Sequence, residues 1–254
     1  MGLSLTDLAL FAAGLVSWVI STLAAGGGSV LIVVAVAAIL RGQAIAPVVT
    51  MTSALASPAR MILLWRWIDW RLVRWYLPGA TAGAVLGGWV FSRIGTHWLQ
   101  IVLALFLIST AWQYRLGARP QSFAMRLPWF LPVSFVSGLT SAVVGASGLL
   151  VNPFYLNYGL MKEAMLATRA VNSLAIQLVK IGAYVMFGVL HWRLARHGLM
   201  AGVGAIAAIW LANPWLRHLT SYRFRQLAVF VMLFGGLLIL WQQRVFLAAA
   251  IGVG

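Results

Sequence analysis

The chain has 254 residues, of which 63% are hydrophobic and 8% charged, with a mean hydropathy of +0.96. An ordinary soluble domain carries about 25% charged residues, so most of this surface must meet lipid, and a soluble domain of any size is excluded. Eighteen Lys and Arg stand against three acids (Asp7, Asp69 and Glu163), and the absence of cysteine removes disulfides, thiolate catalysis and thiolate metal sites.

Met1 to Asp7 lacks the basic region of a secretory leader, so no cleavable signal is expected. The first apolar segment, 8–40, is longer than the roughly 20 residues of a simple span. It contains Gly26, Gly27, Gly28 and Ser29. Each glycine costs about 1 kcal/mol in a helix relative to alanine, so three in a row predict a break and two helical pieces. The second segment, 43–65, carries Thr50, Thr52, Ser53, Pro58 and Arg60. After an Arg-bearing break at Arg66–Arg71 come segments 72–93, with Gly79 and Gly83, and 98–114. A second break, Arg115 to Arg126, leads into 128–158, again too long for one helix. Here Gly145, Ala146, Ser147 and Gly148 interrupt it, and Asn152-Pro153 follows. Segment 163–190 holds Arg169, Asn172, Ser173, Gln177 and Lys180; segments 198–216 and 226–243 follow, separated by breaks at His191–His197 and Arg217–Arg225. Trp and Tyr gather at the breaks (Trp65, Trp67, Trp70, Trp192, Trp215 and Tyr222), as in the aromatic belts at lipid headgroups. The basic excess therefore reads mainly as topology, and no nucleic-acid partner is expected.

The chain also repeats itself. Asp69-Trp70-Arg71-Leu72 matches His191-Trp192-Arg193-Leu194, Gly79 and Gly83 match Gly198 and Gly202, and the two Gly/Ser clusters match each other. The expected fold is all-α and integral to the membrane, with about eight spans in two homologous repeats, 1–120 and 121–254, each opening with a broken helix. Counting Lys and Arg on alternate breaks favours the side holding 66–74, 115–126, 191–197 and 244, which would make both termini cytoplasmic. If each broken segment crosses twice, the units have five spans and the repeats are inverted.

An apolar helix running into a glycine-rich break, the Ile68-Asp69-Trp70-Arg71-Leu72 loop, and a helix opening Pro78-Gly79-Ala80 with Gly83, all duplicated, resemble the sulfite exporter TauE/SafE family. The resemblance covers nearly the whole chain, with His191 in the second copy where the first has Asp69. It implies a multi-pass permease of the bacterial inner (cytoplasmic) membrane for sulfite, organosulfonates or related small anions.

Backbone inside the hydrocarbon leaves helical form only where protein or a water-filled cavity satisfies it. The breaks at Gly26, Gly27, Gly28 and Ser29, and at Gly145, Ala146, Ser147 and Gly148, are therefore expected to line the path. Helices resuming there would present N–H groups to an anion. Small residues that merely permit tight helix packing are the competing explanation. Charges inside spans are costly and mark function. Lys180 ranks first, then Arg60, then Arg169. Arg60 and Lys180 hold near-equivalent positions in the two copies and would suit one divalent oxyanion. Asn172 is a further ligand candidate. No acid lies deep in a span, which argues against proton coupling and for export driven by the membrane potential. Gly145-Ala146-Ser147-Gly148 with His197 also resembles the nucleophile motif of rhomboid proteases, but His197 falls in an interfacial break, a poor place to meet a mid-membrane serine. The histidines are scattered, so no metal site, cofactor or enzymatic activity is expected.

Overall fold

A computed structural model describes residues 4–24, 28–40, 44–91, 123–144, 150–186 and 190–244, with scattered positions between 101 and 112. Among these the regular structure is helical throughout. The helices are α1 (Leu5–Leu23), α2 (Gly28–Ile39), α3 (Ile45–Leu64), α4 (Trp70–Phe91), α5 (Phe130–Val144), α6 (Asn152–Tyr158), α7 (Lys162–Met186), α8 (Trp192–His218) and α9 (Ser221–Gln242).

Local chemistry sets several of these ends. Ser4 and Asp7 form a reciprocal capping box at α1, Asp7 N–H donating to Ser4 Oγ at 3.2 Å and Ser4 N–H to Asp7 Oδ2 at 3.0 Å. At α4, Asp69 Oδ1 accepts the N–H groups of Arg71 and Leu72, each at 3.0 Å. His191 holds the corresponding place before α8 and its side chain makes no cap bond. A short carboxylate folds back onto the first turn; an imidazole does not. Helix α1 stops three residues before Gly26, and α5 is described as far as Val144. The end of α1 beside the first glycine cluster is where the sequence predicts it. Helix α6 closes on Gly159, whose φ of +97° only glycine adopts freely, with Leu160 N–H returning to Tyr155 C=O at 3.0 Å.

Three helices among the described residues are long and apolar enough to cross a membrane: Leu5–Leu23, Pro47–Trp67 and Trp192–His218. Helix α7, at 25 residues, is about 37 Å long but carries Lys162, Glu163, Arg169 and Lys180. Helices α2 and α6, of 12 and 7 residues, reach only about 18 and 10 Å, short of a hydrocarbon layer of about 30 Å.

Contacts fix helix directions. Helix α1 runs parallel to α8: Asp7 pairs with Arg196 and His197, a Cβ on Gly14 would strike the Ala201 carbonyl, and one on Gly204 would strike the Phe11 carbonyl. Helix α3 also runs parallel to α8, Gly198 lying against Met51 and Gly202 against Leu55. Helices α4 and α5 are parallel, with Gly79, Gly83 and Gly87 against Leu131, Phe135 and Leu139 in turn. Helix α7 starts beside the end of α3, where Asp69 N–H donates to Thr168 Oγ1 at 2.9 Å. Its Asn172 reaches α4 through Tyr155 and the stacked ring of Tyr76. So α1, α3 and α8 point one way, and α4, α5 and α7 the other.

One sequence expectation is corrected by this arrangement. The corner at 66–71 and the start of α8 lie at opposite ends of the molecule, not on one side. Gly198 and Gly202 face α3, whereas Gly79 and Gly83 face α5. Gly83 admits the Phe135 carbonyl of α5 and Gly138 the Ala80 carbonyl of α4, while Gly204 admits the Phe11 carbonyl of α1 and Gly14 the Ala201 carbonyl of α8.

Two buried apolar clusters follow. Tyr76, Phe130, Tyr155, Met165 and Phe224 anchor one; Leu10, Trp18, Ile32, Val48 and Ala201 anchor the other. Leu5, Ile62, Val85, Met186 and Phe230 point outward. That much exposed hydrocarbon is stable only against lipid.

Candidate functional site

The seam where α3 packs against α7 is where buried polar groups concentrate. Thr50, Thr52, Ser53, Ser57 and Arg60 are buried on α3; Thr168, Asn172, Gln177 and Lys180 are buried on α7. Five buried side-chain atoms on these two helices have no hydrogen-bond partner among the described residues: Thr50 Oγ1, Arg60 Nε, Asn172 Oδ1, Gln177 Oε1 and Lys180 Nζ. Buried polar groups are ordinarily paired, so such a concentration on one seam calls for a functional explanation.

Arg60 is only 7% exposed, which rules out snorkelling to the headgroups. Its Nη2 donates to Thr22 Oγ1 at 3.0 Å, and Thr22 Oγ1 donates to the Trp18 carbonyl at 2.9 Å. The end of α1, just before the first glycine cluster, thus holds one arm of the guanidinium and leaves Nε without a partner. The charge of Arg169 is felt at Arg60. Arg169 Nη1 donates to Asn152 Oδ1 at 2.8 Å, and Asn172 Nδ2 donates to the Tyr155 hydroxyl at 2.8 Å. Tyr76 stacks on Tyr155 with centroids 6.3 Å apart and donates to Ser137 Oγ at 3.1 Å. Arg60, Arg169 and Asn172 therefore belong to one neighbourhood near the start of α7.

Lys180 is 4% exposed. It lies eleven residues beyond Arg169 on α7, about 16 Å along the axis. Asp69 against Thr168 and Thr50 against Tyr184 set the antiparallel register of the seam, which brings Arg60 level with the stretch of α7 between Arg169 and Lys180. Gly28 and Ser29 open α2, while Gly26, Gly27, Gly145, Ala146, Ser147 and Gly148 lie outside the described residues. Sequence reasoning missed Thr22, Tyr76 and Tyr155. Thr22 stands four residues before Gly26, and a hydroxyl so close to a helix break was the available signal.

None of the three acids reaches the seam cations. Asp7 pairs with Arg196 and His197, and Asp69 caps α4. Glu163 sits half-exposed in the first turn of α7. A helical, lipid-facing protein with cations buried on a polar seam is a membrane protein.

The model of the family Sulfite exporter TauE/SafE matches residues 10–239. The chain belongs to this family, and it is an integral membrane protein of a transporter family. No curated protein and no solved structure matches it.

Proposed function

We propose that the chain is a multi-pass permease of the bacterial inner membrane that exports a small sulfur oxyanion, sulfite or an organosulfonate, along the α3–α7 seam. One observation carries this reading: Arg60 Nε and Lys180 Nζ are buried without partners, while every acid is held elsewhere. A buried cation without a counter-charge costs several kcal/mol, and an anion in transit supplies that charge. Gly26, Gly27, Gly28 and Ser29 line the path in the first copy. Gly145, Ala146, Ser147 and Gly148 line it in the second copy, with Asn172 as a polar ligand.

Residues 1–120 and 121–254 form two inverted copies of one unit, with α3 and α7 at the pseudo-twofold axis. In support, α1 and α5, α3 and α7, and α4 and α8 run in opposite senses, and the glycine crossings match pairwise. Each copy then has an odd number of crossings, the short α2 and α6 completing the broken segments. Arg66, Arg71, Arg74, Arg126, Lys162, Arg217, Arg223 and Arg225 gather at the end where α3 and α8 finish; Arg193, Arg196 and Arg244 lie at the other. The richer end is cytoplasmic. This orientation places the start of α1 outside.

An anion leaving a negative-inside cell gains about 2.3 kcal/mol per charge per 100 mV, so the potential alone drives export. In proteoliposomes compared on sulfite, thiosulfate, sulfonates and carboxylates, sulfite flux should follow the imposed potential. Flux that needs a pH gradient with the potential clamped at zero would overturn the driving force, and Lys180→Gln should abolish the flux. The protease reading finds no support, since His197 Nδ1 lies 3.3 Å from Asp7 Oδ1 at the start of α8.

A further inference from the structure

Two arginines of the seam are tied to the chain on either side of the glycine clusters. Arg60 of α3 donates from Nη2 to Thr22 Oγ1 at 3.0 Å, and Thr22 stands four residues before Gly26. Arg169 of α7 donates from Nη1 to Asn152 Oδ1 at 2.8 Å, and Asn152 stands four residues after Gly148. Both acceptor residues are buried, Thr22 at 2% and Asn152 at 0% exposure. Asn152 opens α6, whose seven residues are too few for a helix to persist on local bonds alone. Contacts from outside must therefore hold it. Asn172, three residues beyond Arg169 and on the same face of α7, donates from Nδ2 to the Tyr155 hydroxyl at 2.8 Å. The Tyr155 ring stacks on Tyr76 and on Phe130, with centroids 6.3 and 5.7 Å away. Asn157 Oδ1 accepts the Phe123 N–H at 3.1 Å. Arg169 and Asn172 thus fasten the first turn of α6 to α7.

From these contacts we propose that Arg169 is a positioning residue: through Asn152 it pins the chain leaving the second glycine cluster to α7, as Arg60 through Thr22 pins the chain entering the first to α3. The proposal rests on the anion-transport reading above, in which both clusters line the path. Glycine is the residue least able to fix its own φ and ψ. Fixing the backbone of one residue costs about 1–2 kcal/mol, so a glycine-rich segment that must present ordered N–H groups needs its order supplied by what flanks it. A flank already tied down leaves less of that cost to be met when the anion binds. Arginine suits the task because its planar group carries five N–H donors in fixed directions, and a bond to one neighbour sets the whole plane. Arg169 then acts on the anion through Asn152 and the second cluster, whereas Lys180 acts on it directly.

The test is a double-mutant cycle on sulfite flux through the full chain in proteoliposomes, read separately as KM and as maximal rate per folded transporter. Arg169→Ala and Asn152→Ala should each raise the KM about ten-fold, the weight of one buried hydrogen bond to a charged group, at a nearly unchanged maximal rate. Because both remove the same tie, the double variant should be no worse than either single one. A KM raised about a hundred-fold in the double variant would mean that the two residues act independently, and would overturn the proposal. So would a lower maximal rate at an unchanged KM, the mark of a merely structural contact. If Arg169→Ala fails to fold, Asn152→Ala decides alone, since an unchanged KM there leaves Arg169 nothing to act through. Wild type that moves none of sulfite, thiosulfate, sulfonates or carboxylates would overturn the transport reading, and this assignment with it.

Discussion

A guanidinium or ammonium taken out of water costs several kcal/mol unless an opposite charge meets it, and removing such a charge can stabilise a fold. Arg60 and Lys180 are in that position, each more than nine-tenths buried with an unpartnered nitrogen. If they are kept for anions, their loss should separate activity from stability. Lys180→Met is expected to bring sulfite flux to background while leaving the Tm in detergent at or above the wild-type value. A lower Tm with flux retained would make Lys180 a structural residue. Thr22→Val tests the same logic one contact away. It removes the acceptor of Arg60 Nη2, a buried hydrogen bond to a charged group worth about 1.5–3 kcal/mol. Flux should fall by about ten-fold or more, by the usual 1.4 kcal/mol per factor of ten. The two caps make a third pair. Asp69→Ala should cost about 1 kcal/mol at α4, whereas His191→Asp, at an extended position with φ −104° and ψ 166°, should gain a similar amount at α8.

Whole helices are held by backbone touching backbone. A Cβ on Gly14, Gly83, Gly138 or Gly204 would collide with a carbonyl of the neighbouring helix, and that carbonyl cannot rotate away as a side chain would. Gly83→Ala and Gly204→Ala should each cost about 1–3 kcal/mol by forcing the crossing apart. Gly182→Ala on α7 meets open space and should be neutral or stabilising. Thermal unfolding of the three variants decides this, and equal losses at all three would mean the crossings are not tight. The same contacts explain what was legible in the sequence and what was not. Glycine runs break helices by local backbone entropy, so the end of α1 at Leu23 could be read directly. Which neighbour a glycine face meets is a tertiary property. The four-residue spacing of Gly198 and Gly202 marks a face but not its partner, and that partner is α3.

At the scale of the molecule, direction follows from charge. The exposed tryptophans mark two rims: Trp65, Trp67 and Trp70 lie at the corner between α3 and α4, and Trp192 lies at the start of α8. Parallel packing of α3 and α8 puts these rims on opposite sides of the bilayer. The first rim carries Arg66, Arg71 and Arg74 and shares its end with Lys162, Arg217, Arg223 and Arg225. Retention of Lys and Arg in the cytoplasm orients a helical membrane protein when they lie in short loops near the spans, as these do. The chain lacks cysteine, so a single introduced thiol can be followed without background. In intact cells a membrane-impermeant maleimide should label Trp192→Cys and leave Trp67→Cys unreacted until the membrane is opened; both side chains are more than half exposed, so access and not burial sets the difference. Labelling of both in intact cells would place the two rims on one face, and with it the start of α1 and the 66–71 corner. The opposed senses of α4 and α8, and the inverted arrangement built on them, would then be wrong. Labelling of Trp67→Cys alone would keep that arrangement and reverse it in the membrane.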